Sequence, residues 1–207
     1  MVKSPRIILS ERAKDCWMLI LILLMAAGLK ATLLLLERIP FNSDEAVVAL
    51  MARHILDGER PVFFYGQAYM GSLDAWLVAL GFTLFGQQVW VIRLVQILLY
   101  LLTIISTVWI GKEFLGSLKI GLGAGVLLAV PTVNVTLYTT ASLGGYGEAL
   151  LIGNLILISG LKILHVRPDE IKKRKSFVWW PVFGLLAGLG QAMEKRWAVA
   201  TGLGQPW

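Results

Sequence analysis

The sequence predicts an all-α integral membrane protein, a polytopic helical bundle, and three observations predict it. Hydrophobic residues fill 57% of the 207 positions against 15% charged, and the mean hydropathy is +0.73. The apolar residues also fall in runs of about 16 to 21 residues without strand alternation. Runs of that length cross a hydrocarbon core as helices, whose backbone groups bond within their own segment, and the missing alternation argues against a β-barrel.

The first run, residues 16–36, is too long for the core of a signal peptide and lacks a convincing small-residue cleavage site at its end, so it reads as an uncleaved signal anchor. Further spans are expected at 94–110, 120–138 and 146–164, and a fifth run covers 177–190. Between the first and second spans lies a loop, 37–93, holding the shorter apolar segment "SLDAWLVALGFTLFG" at 72–86, which contains Asp74.

Charge decides whether that short segment crosses. Lys3, Arg6, Arg12 and Lys14 precede the first span, and Lys162, Arg167, Lys172, Lys173, Arg174 and Lys175 follow the fourth. Short basic loops stay cytoplasmic, so an even number of crossings must separate the two clusters. Four spans supply it, and the loop with Lys112 and Lys119 then also falls inside. Residues 72–86 are therefore expected to lie in the interface or to re-enter. The N-terminus is expected in the cytoplasm and loop 37–93 on the outer face, with a prokaryotic plasma membrane as the expected location. Trp17, Trp109, Trp179 and Trp180 at the inner interface and Tyr138 at the outer one fit this map.

Gly121 with Gly125, and Gly184 with Gly188, are small-xxx-small pairs expected to let helices approach. After Gly190 the apolar pattern stops and Glu194-Lys195-Arg196 arrives early, so 191–207 is an atypical tail, expected from a truncated or frameshifted longer protein. Cys16 stands alone, and with only His54 and His165 a Cys/His metal cluster is excluded. The net charge of +6 sits beside apolar runs, which is a topology signal and argues against nucleic-acid binding.

The chemistry concentrates in "FNSDEAVVAL", residues 41–50. Asn42 and Glu45 have capping-box spacing, Asp44 and Glu45 fill a helix's first turn, and Val47, Val48, Met51 and Ile55 form an apolar stripe. Gly58 is placed to end this helix. The acids can simply complement the helix dipole. Equally, a carboxylate held at the interface can act as general base on an acceptor hydroxyl beside a polyprenyl-linked donor.

The stretches "GERPVFFYGQAYMGSLDAWLVALGFTLFG" and "VWVIRLVQILLYLL" complete a pattern that resembles the GT-C superfamily of polytopic glycosyltransferases. More narrowly, residues 15–190 are similar to the group related to protein O-mannosyltransferases and lipid A aminoarabinose transferases. The resemblance implies a GT-C-like bundle of about five membrane helices, with helices 44–57 and 72–86 along the membrane. It also implies transfer from a polyprenyl-phosphate sugar to a hydroxyl of a glycan, lipid or protein on the outer face. Asp44 is then the base, supported by Glu45, and Arg93 is a candidate for the donor phosphate, its planar fork suiting phosphate oxygens.

Glu148, in "SLGGYGEALLIG", falls where such proteins often carry a second acid, usually Asp. Facing Asp44 it would share a divalent cation or perturb its partner's pKa, and alone it would snorkel outward. Tyr65 and Gln67 can line a sugar pocket or pack in the interface. Lys30 can reach the donor phosphate or snorkel to the membrane surface. The other readings of the whole chain are a transporter or flippase fragment, in which Lys30 and Glu148 line a path, and a non-catalytic membrane protein.

Overall fold

The computed structural model describes residues 5–164 and 178–193. Its helices are α1 (Pro5–Leu35), α2 (Ser43–Leu56), α3 (Leu73–Phe85), α4 (Val89–Phe114), α5 (Leu118–Ala129), α6 (Val133–Tyr138), α7 (Tyr146–Leu164) and α8 (Trp179–Met193). Three stretches are long and apolar enough to cross a membrane: Lys14–Leu35, Val89–Phe114 and Tyr146–Leu164. The architecture is that of a helical membrane protein, as the hydropathy predicts. The basic loop after α7 and the expected tail beyond residue 193 lie outside the described residues.

Helix α1 stops because the chain turns left-handed at Glu37, with φ 52°. The Arg38 amide then donates to the Leu33 carbonyl at 3.0 Å and that of Glu37 to Leu34 at 3.1 Å, which satisfies two end-of-helix acceptors. The capping box of α2 is formed by Asn42 and Glu45. The helix ends at Gly58, φ 101°, where the Glu59 amide reaches back to the His54 carbonyl.

Two features depart from the sequence reading. Residues 63–71 form a small antiparallel hairpin, β1 (Phe63–Phe64) and β2 (Gln67–Gly71), in a loop for which the sequence reading assigned no strands. The span expected at 120–138 is broken into α5 and α6. Pro131 has no amide to donate and drives the preceding Val130 out of helical geometry, to φ −118° and ψ 71°.

The packing has two centres on α4. Near its start, α2 and α3 lie against it through Val48, Met51, Phe64, Val78, Phe82, Val91 and Ile92. Burying side chains of this size is worth about 1.5–3 kcal/mol each, and it fixes the layer that carries Asp44 and Glu45. Farther along, α1 and α5 close on α4 through Ile22, Tyr100, Ile104, Val108 and Leu122. Gly121 permits this second contact, since a Cβ there would lie 2.3 Å from the Val108 carbonyl oxygen. Gly184 and Gly188 have nothing within 4 Å of a built Cβ, so among the described residues that pair makes no close approach.

Candidate functional site

The N-terminal turn of α2 sits against the first turns of α4, and this junction assembles most of the polar groups. Glu45 is fully buried. Arg93 donates to it twice, Nε to Oε1 at 3.0 Å and Nη2 to Oε2 at 3.1 Å. Asn42 adds its backbone amide and Nδ2 to Oε2 at 3.4 and 3.3 Å, and its own Oδ1 accepts from the Glu45 amide at 3.0 Å. One carboxylate thus caps the helix and neutralises a guanidinium. Arg93 carries five N–H donors, so the nitrogen not facing Glu45 can still serve an anion.

Asp44 is placed differently. It is partly exposed, and no hydrogen bond or ion pair engages its side chain among the described residues. A carboxylate without a partner, held on a capped and packed helix, is free to accept a proton from a molecule brought to it.

A second set lies one turn along α4. Gln96, on the same face as Arg93, donates Nε2 to Asp74 Oδ1 at 2.8 Å, and the Ser142 hydroxyl donates to Oδ2. Burial pushes the Asp74 carboxyl up to about 6. The Glu45 charge adds to the rise, and the hydrogen bonds from Ser142 and Gln96 oppose it. Ser142 reaches Asp74 from the turn before α7, where Gly144 has φ 82° and a Cβ would meet the end of Met70 at 2.1 Å. Glu148, in the first turn of α7, is 2% exposed, and neither carboxyl oxygen has a hydrogen-bond partner among the described residues.

The remaining predicted residues are committed elsewhere. Lys30 does not snorkel: it is buried, and its ammonium donates to the Thr139 carbonyl, Thr139 Oγ1 and Thr140 Oγ1, each at 2.8 Å. It also lies 4.3 Å from the centre of the Tyr100 ring. The Tyr65 hydroxyl donates to Glu59 at 2.9 Å, so the 3.0 Å contact with His54 Nδ1 requires the imidazole to donate. That bond to Glu59, with burial and the Glu59 charge, raises the Tyr65 phenol above its ordinary value. Gln67 opens β2, paired with Phe64.

Asp74 and Gln96 were missed as site residues in the sequence. The signal for them is a polar stripe along an otherwise apolar helix: Arg93, Gln96, Tyr100, Thr103 and Thr107 recur at helical spacing on α4. Its far end is taken up by Asn154, whose Nδ2 donates to Ser106 and Thr107 at 2.9 Å. Among the described residues no three His, Cys, Asp or Glu side chains converge to hold a metal ion. The Asp74 and Glu45 oxygens are already occupied by protein donors.

Comparison with known proteins adds one finding. The family described as dolichyl-phosphate-mannose-protein mannosyltransferase matches residues 72–201, a stretch that includes Asp74, Arg93 and Glu148 and begins after Asp44 and Glu45. No curated protein and no solved structure matches.

Proposed function

The chain belongs to the dolichyl-phosphate-mannose-protein mannosyltransferase family, and from that premise we propose that it serves transfer of a sugar from a polyprenyl-phosphate donor to an acceptor hydroxyl at the outer membrane face. Membership makes it a multi-pass membrane glycosyltransferase of the GT-C type. The donor, the acceptor and the side of the membrane are our reading. The observation that carries it is the division of labour between adjacent acids. Glu45 is locked by Asn42 and Arg93, and this lock presents Asp44 without a partner at the end of a rigid helix.

In this reading Asp44 accepts the proton of the acceptor hydroxyl as its oxygen attacks the anomeric carbon. The bond between that carbon and the phosphate oxygen breaks, and the lipid phosphate leaves with the electron pair. Arg93, held by Glu45, turns its remaining N–H groups toward the leaving phosphate, whose charge grows as the bond breaks. An apolar groove of about 240 Å³ between α3 and α4, lined by Leu80, Leu84, Leu94 and Leu98, suits the prenyl chain of such a donor. Lining residue Leu94 directly follows Arg93.

The test is transfer of radiolabelled mannose from polyprenyl-phosphate mannose in vesicles containing the wild-type chain or Asp44→Asn. A loss of about 10²- to 10⁴-fold is expected, typical for removal of a general base, with unchanged thermal stability. Undiminished transfer by Asp44→Asn would remove Asp44 from the reaction. A transporter would instead be insensitive to Asp44 and sensitive to Lys30 and Glu148.

A further inference from the structure

Three carboxylates and one guanidinium meet where α2, α3, α4 and α7 come together, and the charges do not balance. Glu45 is matched by Arg93. Asp74 accepts hydrogen bonds from Gln96 and Ser142, donors that favour an ionised carboxylate but bring no charge. Glu148 is left, 2% exposed, with both oxygens unpartnered among the described residues and the Asp74 charge within reach.

The other charges around this group are few. On α4, Arg93 is bound to Glu45, while Lys112 and Glu113 lie at the opposite end of the helix. Lys30 of α1 reaches the residues before α7, but its three protons are given to Thr139 and Thr140. On α7 itself the remaining charge, Lys162, is paired with Glu113. The described part of α8, Trp179–Met193, carries no ionisable residue. No described cation is available to Glu148, and burying an unpaired carboxylate costs several kcal/mol.

We propose that Glu148 is held as a neutral carboxylic acid beside an ionised Asp74, the two side chains keeping one proton between them at neutral pH. A proton is the one neutralising partner that needs no room in a site whose oxygens are closed to solvent. The arrangement makes Glu148 a positioning residue: uncharged, it lets the start of α7 pack against Gln96, which holds Asp74. Gly147 lets the Gln96 amide come close, because a Cβ there would stand 2.4 Å from Gln96 Oε1.

Infrared spectroscopy of the purified chain in lipid nanodiscs tests this. At neutral pH the wild type should show the carbonyl stretch of a protonated carboxyl group, shifted in deuterium oxide. Glu148→Gln should lose that band and melt like wild type, since the amide copies a neutral acid, whereas Asp74→Asn should retain the band. A wild-type spectrum without the band overturns the proposal. So does a band that survives Glu148→Gln, one that disappears in Asp74→Asn, or a Glu148→Gln protein that no longer folds, since that would mean the charge was needed.

Discussion

Arg93 grips Glu45 with two nitrogens, across 48 residues of sequence, and thereby fastens the start of α2 to the start of α4. Both groups are largely out of water, with side-chain exposures of 11% and 0%. Removing one partner leaves the other charge buried and alone, which costs about 3–5 kcal/mol. Arg93→Ala is therefore expected to lower unfolding free energy in detergent by about that amount. Arg93→Lys should recover only part of it, because an ammonium does not span two carboxylate oxygens. The double variant Glu45→Gln/Arg93→Gln should be less destabilised than the sum of its parts. A loss under about 1 kcal/mol for Arg93→Ala would place the pair in the class of solvated surface bridges.

Sequence and structure agree where local rules govern and part where tertiary contacts do. Asn42, Glu45 and Gly58 announce a helix because capping depends on neighbours three or so residues apart. The membrane helices are legible because hydropathy is additive along a segment. What could not be read was partnership. Nothing in "SLDAW" says that Asp74 meets Gln96 and Ser142, and the pairing of Lys30 with Thr139 spans 109 residues. Pro131 breaks the run at 120–138 through its missing amide, which hydropathy averaged along the run does not register.

The Asp74 carboxyl sets a pH dependence whose sign follows from its burial. Its ordinary value of 3.8 is raised to about 6 in the folded protein, so the folded state binds the proton more tightly than the unfolded chain. The stability this proton brings is fully present below pH about 4 and is lost as pH rises through about 6. The full change corresponds to about 3 kcal/mol. Melting temperature in detergent is expected to fall across that window, and Asp74→Asn should make the fall there shallower. A wild-type profile that instead rises between pH 4 and 6 would mean that Ser142 and Gln96 outweigh burial.

Lys30 separates two roles by which quantity changes. Its ammonium has three protons and three acceptors at 2.8 Å, all supplied by Thr139 and Thr140 after α6. Lys30→Met keeps the volume and strands the Thr139 carbonyl, so stability should fall by about 1–3 kcal/mol. With the ammonium so occupied, KM for a polyprenyl-phosphate donor is expected to stay within about twofold of wild type. An unchanged melting temperature with a raised KM would show that the amine turns to the donor phosphate.

The contact between α4 and α5 offers the most local test. A Cβ at Gly121 would sit 2.3 Å from the Val108 carbonyl oxygen and 3.2 Å from the Val108 Cα, and these are backbone atoms that cannot swing aside. Two positions later, Gly123 has nothing within 4 Å on the same helix. Gly121→Ala must push α5 away from α4 and is expected to cost about 1–3 kcal/mol, the usual range for overpacking. Gly123→Ala removes backbone freedom from the unfolded chain without a clash, so it should be neutral or stabilise by up to about 1 kcal/mol. Thermal melts of the two variants in one detergent compare the same chemical change at adjacent sites. Equal effects at 121 and 123 would mean that α4 and α5 do not pack through Gly121.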